Sequence, residues 1–425
     1  MNRPLPQCVM IVALSYGASL SVQPPLALAQ PVVERITTRA PFPRGLAMVD
    51  NKLYVLCRGR VRNAGGVSAE VEDQAGTIYV VDPEIAEPID QDEVGQAVRN
   101  NGQILAAPTD PPFRLWDRTA VPPESDRETD RPYCTLRYHR PTHSFYICAF
   151  SGIDKPKRPG DPSFSKNLND AILRYDLRTQ RWHDVERHDI KAGEIYPHHN
   201  PALFAPPHGW LNGPDNCLAI GNSLYAVAKD NSVLVRYDLS AIADDPEAGA
   251  PPSELVVGTA LQIRGHGRLE LLGHSALAVN DAFLYIGYRT SSVIVRIPIT
   301  EDGLVKQPIE GELVARFEPY DPITGRSANI TDIAFDSKGR LYVVSAQPAR
   351  IYRFKPNPSD VYDAADGAQP WLDLAEVTGN PTLKAENILI EEGAGGRNRI
   401  FITTGNGYDF QDGALGTVYR ATIDD

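Results

Sequence analysis

Short runs of alternating apolar and polar residues, broken by Gly, Asn and Asp, fill most of the chain. The clearest lies between Gly213 and Leu239, GPDNCLAIGNSLYAVAKDNSVLVRYDL. It reads as three short strands, CLAI, LYAVA and VLVRYDL, separated by a Gly-Asn turn and a Lys-Asp-Asn turn. Two near copies follow, GHSALAVNDAFLYIGYRTSSVIVRIPI from Gly273 and ANITDIAFDSKGRLYVVSAQPARIYRF from Ala328. The same template fits Arg44 to Gly59 with Gly76 to Asp82, Pro132 to Leu177, and Ala385 to the C-terminus. Six units thus begin near 44, 132, 213, 273, 328 and 385. The later ones are spaced by roughly 55 to 60 residues, a period that points to a propeller or solenoid. No stretch carries a convincing 3.6-residue apolar repeat, which argues against a helical solenoid.

Between the units lie further strand-like runs. GRLELLG precedes the fourth unit, ELVARFEP precedes the fifth, and WLDLAEV follows the fifth. VVERITTR (Val32 to Arg39) precedes the first. The sixth unit ends after three strands, so the N-terminal run is its missing fourth. Closure of this kind hides the sheet edges that an open array exposes. The expected fold is all-β, a six-bladed β-propeller closed by the N-terminal strand. Residues 30–425 form its single domain.

Composition narrows the partners. A formal net charge of −12 over 425 residues argues against nucleic acid, whose binding is dominated by Lys and Arg. No run of about 18 apolar residues follows the N-terminus, so no membrane span is expected. The first 29 residues read as a signal peptide. Arg3 precedes the apolar CVMIVALSYGASL, and Ala27-Leu28-Ala29 precedes Gln30. The alternative is a plain disordered tail. Export places the protein in the periplasm or outside the cell, where disulfides persist. Cys134 and Cys148 flank the Arg140-Pro141 turn symmetrically. They are expected to face each other and form a disulfide. Cys57 and Cys217 read as buried thiols.

Insertions are uneven. Arg60 to Ala75, Pro83 to Arg131, Ser151 to Asp170 and Lys191 to Asn212 extend blades one to three. These loops are expected to roof one mouth of the channel, where long ordered loops usually carry function. Surface decoration is the alternative.

Aligning the six inner strands on their apolar-x-apolar core gives rings of equivalent positions near that mouth. One ring holds Arg44, Cys134, Asn216, Ser275, Thr331 and Glu386. The next holds Gly45, Thr135, Cys217, Ala276, Asp332 and Asn387. The preceding one includes Tyr133, Asp215 and His274. Asp215, Asn216, Asp332, Glu386 and Asn387 are a hard-oxygen set suited to Ca²⁺, with Mg²⁺ or Zn²⁺ as alternatives. Blades six and one are neighbours, so pairing of Glu386 with Arg44 is the competing reading. Basic residues recur at the ends of second strands, Arg58, Lys229 and Arg289, with Lys155, Lys157 and Arg158 in an insertion. With Arg44, His208 and Tyr133 they are candidates to bind a small anionic or saccharide-like substrate; a solvated basic rim is the alternative. His198, His199 and His208 share one loop, without the spacing of a structural zinc site. A three-His zinc site, as in propeller lyases acting on peptidyl hydroxyglycine, would depend on that loop's geometry. His274 is the candidate general acid or base, and Asp332 the second candidate to activate water. Ser275, in GHSAL, reads as structural.

The blade pattern resembles the NHL-repeat and regucalcin/gluconolactonase-like six-bladed propellers, over essentially the whole mature chain. The resemblance implies a divalent ion on the channel axis. Asn216 in PDNCLAI and Glu386 in AENILI match the Asn and Glu ligand positions. Where such enzymes carry an Asp that serves as ligand and base, this chain has Thr331, with Asp332 one place on. One residue along a strand reverses the side-chain direction, and a bulge restores it. The implied activity is metal-assisted hydrolysis of a lactone or ester, with a lyase acting on a uronate-like acid as the variant. The alternative is a non-catalytic NHL-like propeller that holds a protein or glycan on its roofed face.

Overall fold

The computed structural model describes residues 31–40, 42–57, 77–91, 93–106, 133–149, 171–187, 211, 213–229, 231–318, 328–357, 360–364, 368–392, 397–406 and 416–422. Within them the chain forms six small antiparallel sheets arranged as the blades of a propeller. Their inner strands are Pro43–Val49, Tyr133–His139, Pro214–Ile220, His274–Asn280, Ile330–Phe335 and Leu383–Glu392. Each inner strand touches its neighbours on both sides, so the ring closes.

Closure is made by the N-terminal strand. Val32–Thr37 pairs antiparallel with Thr417–Thr422 and completes the sixth blade, as the strand count predicts. The alternation of strand residues supplies the reason for the ring. One face of every blade packs on the preceding blade and the other on the following one. Six apolar clusters result among the described residues, one per blade junction. The junction of blades six and one joins Ile36, Phe401 and Val418 to Leu46, Leu53, Val55 and Tyr79. The closing seam is therefore an apolar core like the other five.

Three outer strands differ from the expected ones. GRLELLG does not finish blade three: Gly267–Glu270 pairs with Ala260–Ile263 as a separate hairpin. The fourth strand of that blade is Ser253–Val257, a run whose approach through Pro-rich sequence masks its strand character. In WLDLAEV only Leu372–Asp373 pairs with the sheet. Asp373 then accepts a hydrogen bond from the Glu376 amide and caps a short helix, Leu374–Val377. The stretch read as one insertion from Pro83 holds a helix, Gln96–Asn100, and the outer strand of blade one, Gln103–Ala106. ELVARFEP behaves as expected, with Glu312–Arg316 closing blade four.

The expected Cys134–Cys148 disulfide is not formed. The register explains why. A bulge between Tyr133 and Thr135 sets Thr135, not Cys134, opposite Cys148. Cys148 instead meets Cys217 of blade three, and both are fully buried. No helix of the described residues is long and apolar enough to cross a membrane.

Candidate functional site

The site is built from one feature repeated six times. Every inner strand has a register shift at its start: between Pro43 and Gly45, Tyr133 and Thr135, Pro214 and Asn216, His274 and Ala276, Ile330 and Asp332, and Ala385 and Asn387. The residues skipped in pairing are Arg44, Cys134, Asp215, Ser275, Thr331 and Glu386. These bulges re-aim the residues that follow. They also correct the alignment of blade three by one place. Asn216, not Cys217, stands level with Asp332 and Asn387. The sequence alignment slipped there because CLAI offers two equally apolar frames.

Side-chain bonds between neighbouring blades fix the bulges. Thr135 Oγ1 donates to the Asp215 carbonyl at 3.0 Å, and Ser275 Oγ donates to the Ile330 carbonyl at 2.7 Å. Thr331 Oγ1 donates to the Ala385 carbonyl at 3.3 Å. Ser275 thus has the structural role its sequence suggests. Gly45 is required by close approach, since a Cβ there would lie 2.3 Å from the Leu136 amide nitrogen.

The oxygen-bearing residues do converge, but on a cation the chain supplies. Arg137, in the inner strand of blade two, donates to Asp332 Oδ1 at 2.8 Å. It also donates to Asn216 Oδ1 and to Asn387 Oδ1, each at 3.3 Å. Asn216 Nδ2 donates to the same Asp332 oxygen at 2.9 Å, and the Ile388 amide donates to Oδ2 at 3.1 Å. Asp332 is fully buried, and the Arg137 side chain is 14% exposed. One residue each from blades two, three, five and six is thereby tied together across the axis.

Glu386 is engaged as well. Its carboxylate is ion-paired with the Arg44 guanidinium across the seam of blades six and one. Burial alone would lower the Arg44 pKa, but the Glu386 charge, with Cys134 and Asp215 nearby, more than offsets it and the pKa is raised. The metal-ligand set read from the sequence is therefore divided. Glu386 belongs to Arg44, Asn216 and Asn387 belong to Arg137, and Asp215 lies buried beside Arg44 in the bulge ring. Glu386 and Asp332 each already have a guanidinium, and the Asn216 and Asn387 oxygens face the second of them, so these residues as arranged do not fit a divalent ion. Among the described residues no group of three or more His, Cys, Asp and Glu side chains could hold one.

Neither proposed catalytic residue is placed for proton transfer. Asp332 has both oxygens committed. His274 is fully buried, packed against Tyr288 with ring centroids 4.4 Å apart and planes tilted by 59°, and neither ring nitrogen has a hydrogen-bond partner among the described residues. Burial pushes its pKa down to about 3. A histidine whose folded pKa lies below the unfolded value of about 6.5 destabilises the fold as acid charges the unfolded chain. The penalty is absent above about pH 6.5 and grows as pH falls toward 3, by up to about 1.4 kcal/mol per pH unit. His274→Phe is expected to flatten this part of the stability–pH curve, measured by denaturant unfolding. An unchanged slope would show that His274 does not carry it.

The remaining candidates fall in two groups. Lys229 and Arg289 occupy the same strand-end position in adjacent blades, with their amides bonded to the carbonyls of Gly213 and Gly273. Arg289 Nε donates to Asn329 Oδ1. Tyr133 pairs with Ala149 in the inner strand of blade two, but its side chain lies outside the described residues. Arg58, His208, His198, His199, Lys155, Lys157, Arg158 and most of the expected roof also lie outside them.

No protein-family model matches the chain, and no curated protein matches it. Solved structures similar to it include the PQQ-bound aldose sugar dehydrogenase of Streptomyces coelicolor. That match has 15% identity over 93% of this chain and 99% of the other, with a TM-score of 0.43. A gluconolactonase of Xanthomonas campestris gives 13% identity over 93% and 91%, with a TM-score of 0.39. The calcium-binding protein regucalcin of Agrobacterium tumefaciens gives 10% over 93% and 95%, with a TM-score of 0.41. The likeness is one of architecture. It assigns no residue of this chain a role.

Arg137 is the residue that sequence reasoning missed. By register its ring also holds Ala47, Leu218, Ala278, Ala334 and Leu389. A single charge in a ring of small and apolar residues is the signal that was there to be read.

Proposed function

We propose that this propeller binds a small anionic ligand, a carboxylate-bearing sugar-like molecule, at the channel mouth, with Arg289 as its main contact. The observation that carries this is the pairing of Arg289. Its side chain is half-buried and oriented by Asn329, and it has no carboxylate partner among the described residues. A neutral amide orients a guanidinium without cancelling its charge. Arg44 and Arg137, by contrast, are each neutralised from within the chain. Lys229 adds a second cationic position one blade away.

Titration calorimetry with uronates and aldonates, set against the matching neutral sugars, tests the reading. Acids are expected to bind and neutral sugars not. Arg289→Ala is expected to weaken binding by roughly ten-fold or more, the weight of a charged hydrogen bond. Equal binding of neutral sugars, unaffected by that change, would sink it. Metal-assisted hydrolysis of a lactone or ester draws no support from the axial residues, because Asn216, Asp332 and Asn387 are taken up by Arg137. Turnover by wild-type protein that stops with chelator would contradict this. The A-x-A pattern before Gln30 supports ligand capture outside the cytoplasm. N-terminal sequencing of secreted or periplasmic protein should begin at Gln30, and an intact Met1 would contradict export.

A further inference from the structure

We propose that the axial oxygens of Asp332, Asn216 and Asn387 form a cation site that the chain fills with its own Arg137. The inference is independent of the ligand assigned to the mouth. Three side-chain oxygens from three different blades point at one positive group. They are hard donors, one ionised and two amide, of the type that surrounds Ca²⁺ when no internal cation is present. The six bulges bring them level, and Arg137 and Asp332 together tie blades two, three, five and six. Without the guanidinium, Asp332 would keep a buried charge with only the Asn216 amide and the Ile388 amide for company. A buried carboxylate so placed either takes up a proton or pairs with a cation, and the two Asn oxygens beside it favour the cation. An arginine held by a strand cannot dissociate, so the ring is tied independently of the metal supply.

The consequence is specific. In wild-type protein the guanidinium occupies the point on which the three oxygens converge, and removing it frees that point. Arg137→Ala is expected to lower the melting temperature and to acquire one Ca²⁺ site per chain. A single carboxylate makes a weak site, so binding is expected at millimolar CaCl₂. The same CaCl₂ should restore much of the lost melting temperature in Arg137→Ala and leave wild type unmoved. Adding Asp332→Asn should abolish the response. Arg137→Gln, which keeps a hydrogen-bonding head at that position, serves as a milder second variant. If neither variant folds alone, recovery of folded, soluble protein only when CaCl₂ is present during refolding supports the proposal. Two results overturn it: saturable Ca²⁺ binding by wild type that survives unchanged in Arg137→Ala, or variants that neither bind nor recover with Ca²⁺.

Discussion

Deleting Val32–Thr37 is expected to cost on the order of 5 kcal/mol or more and to make the protein self-associate. The strand carries Ile36, fully buried at the closing seam, and Val33, buried against blades five and six. Each such side chain is worth about 1.5–3 kcal/mol when removed from water. The strand also holds Glu34, which takes two bonds from the Arg420 guanidinium at 2.7 and 3.0 Å. Thr37 and Ile36 are tied to Asn101, whose side-chain amide also bonds the Asp82 carbonyl. Loss of the strand therefore opens the Thr417–Thr422 edge and loosens blade one at once. Denaturant unfolding and size-exclusion chromatography measure the two effects. A monomer with unchanged unfolding would show that the ring does not depend on this closure.

The second large effect belongs to Asp332. Asp332→Ala leaves the Arg137 guanidinium without its counter-charge and removes the acceptor for the Asn216 amide and the Ile388 amide. Breaking one side of a buried pair costs about 3–5 kcal/mol, because the surviving charge stays desolvated. The paired change Asp332→Asn with Arg137→Met removes both charges and keeps similar volumes. It is expected to recover much of the loss, since a buried ion pair adds little net stability over apolar packing. Urea unfolding of Asp332→Asn, Arg137→Met and the double gives the coupling directly. Additive losses would mean that the two residues do not act as a pair.

These residues also mark how far the sequence could be read. The strands of the six units and the closing role of Val32–Thr37 follow from period-two alternation and turn residues, signals local to a few positions. Outer strands are shorter and less apolar, so GRLELLG reads as a strand of the blade while Ser253–Val257 takes that place, and Asp373 turns half of WLDLAEV into a capped helix. The site was legible as residue types and in one of its partners: the adjacency of blades six and one points to the Glu386–Arg44 pair, which forms. Asn216, Asp332 and Asn387 stand out in the sequence as oxygen donors, and they do face a common point. What they bind is Arg137, and that depends on bulges, which shift register by one residue without a sequence signature of their own. The missed disulfide has this cause. A bulge at Cys134 moves it out of line with Cys148 just as one at Asp215 moves Asn216 into line with Asp332.

The central claim is that the axis is held by guanidinium groups and not by a metal. Elemental analysis of wild-type protein, combined with its melting temperature before and after chelator treatment, tests it most directly. An ion present at about 100 times its dissociation constant would add about 2.7 kcal/mol, which a melting curve resolves. The arrangement of Arg137 with Asp332 and Arg44 with Glu386 predicts no stoichiometric divalent metal and a melting temperature unmoved by chelator. One divalent ion per chain, with a fall in melting temperature when it is stripped, would contradict it.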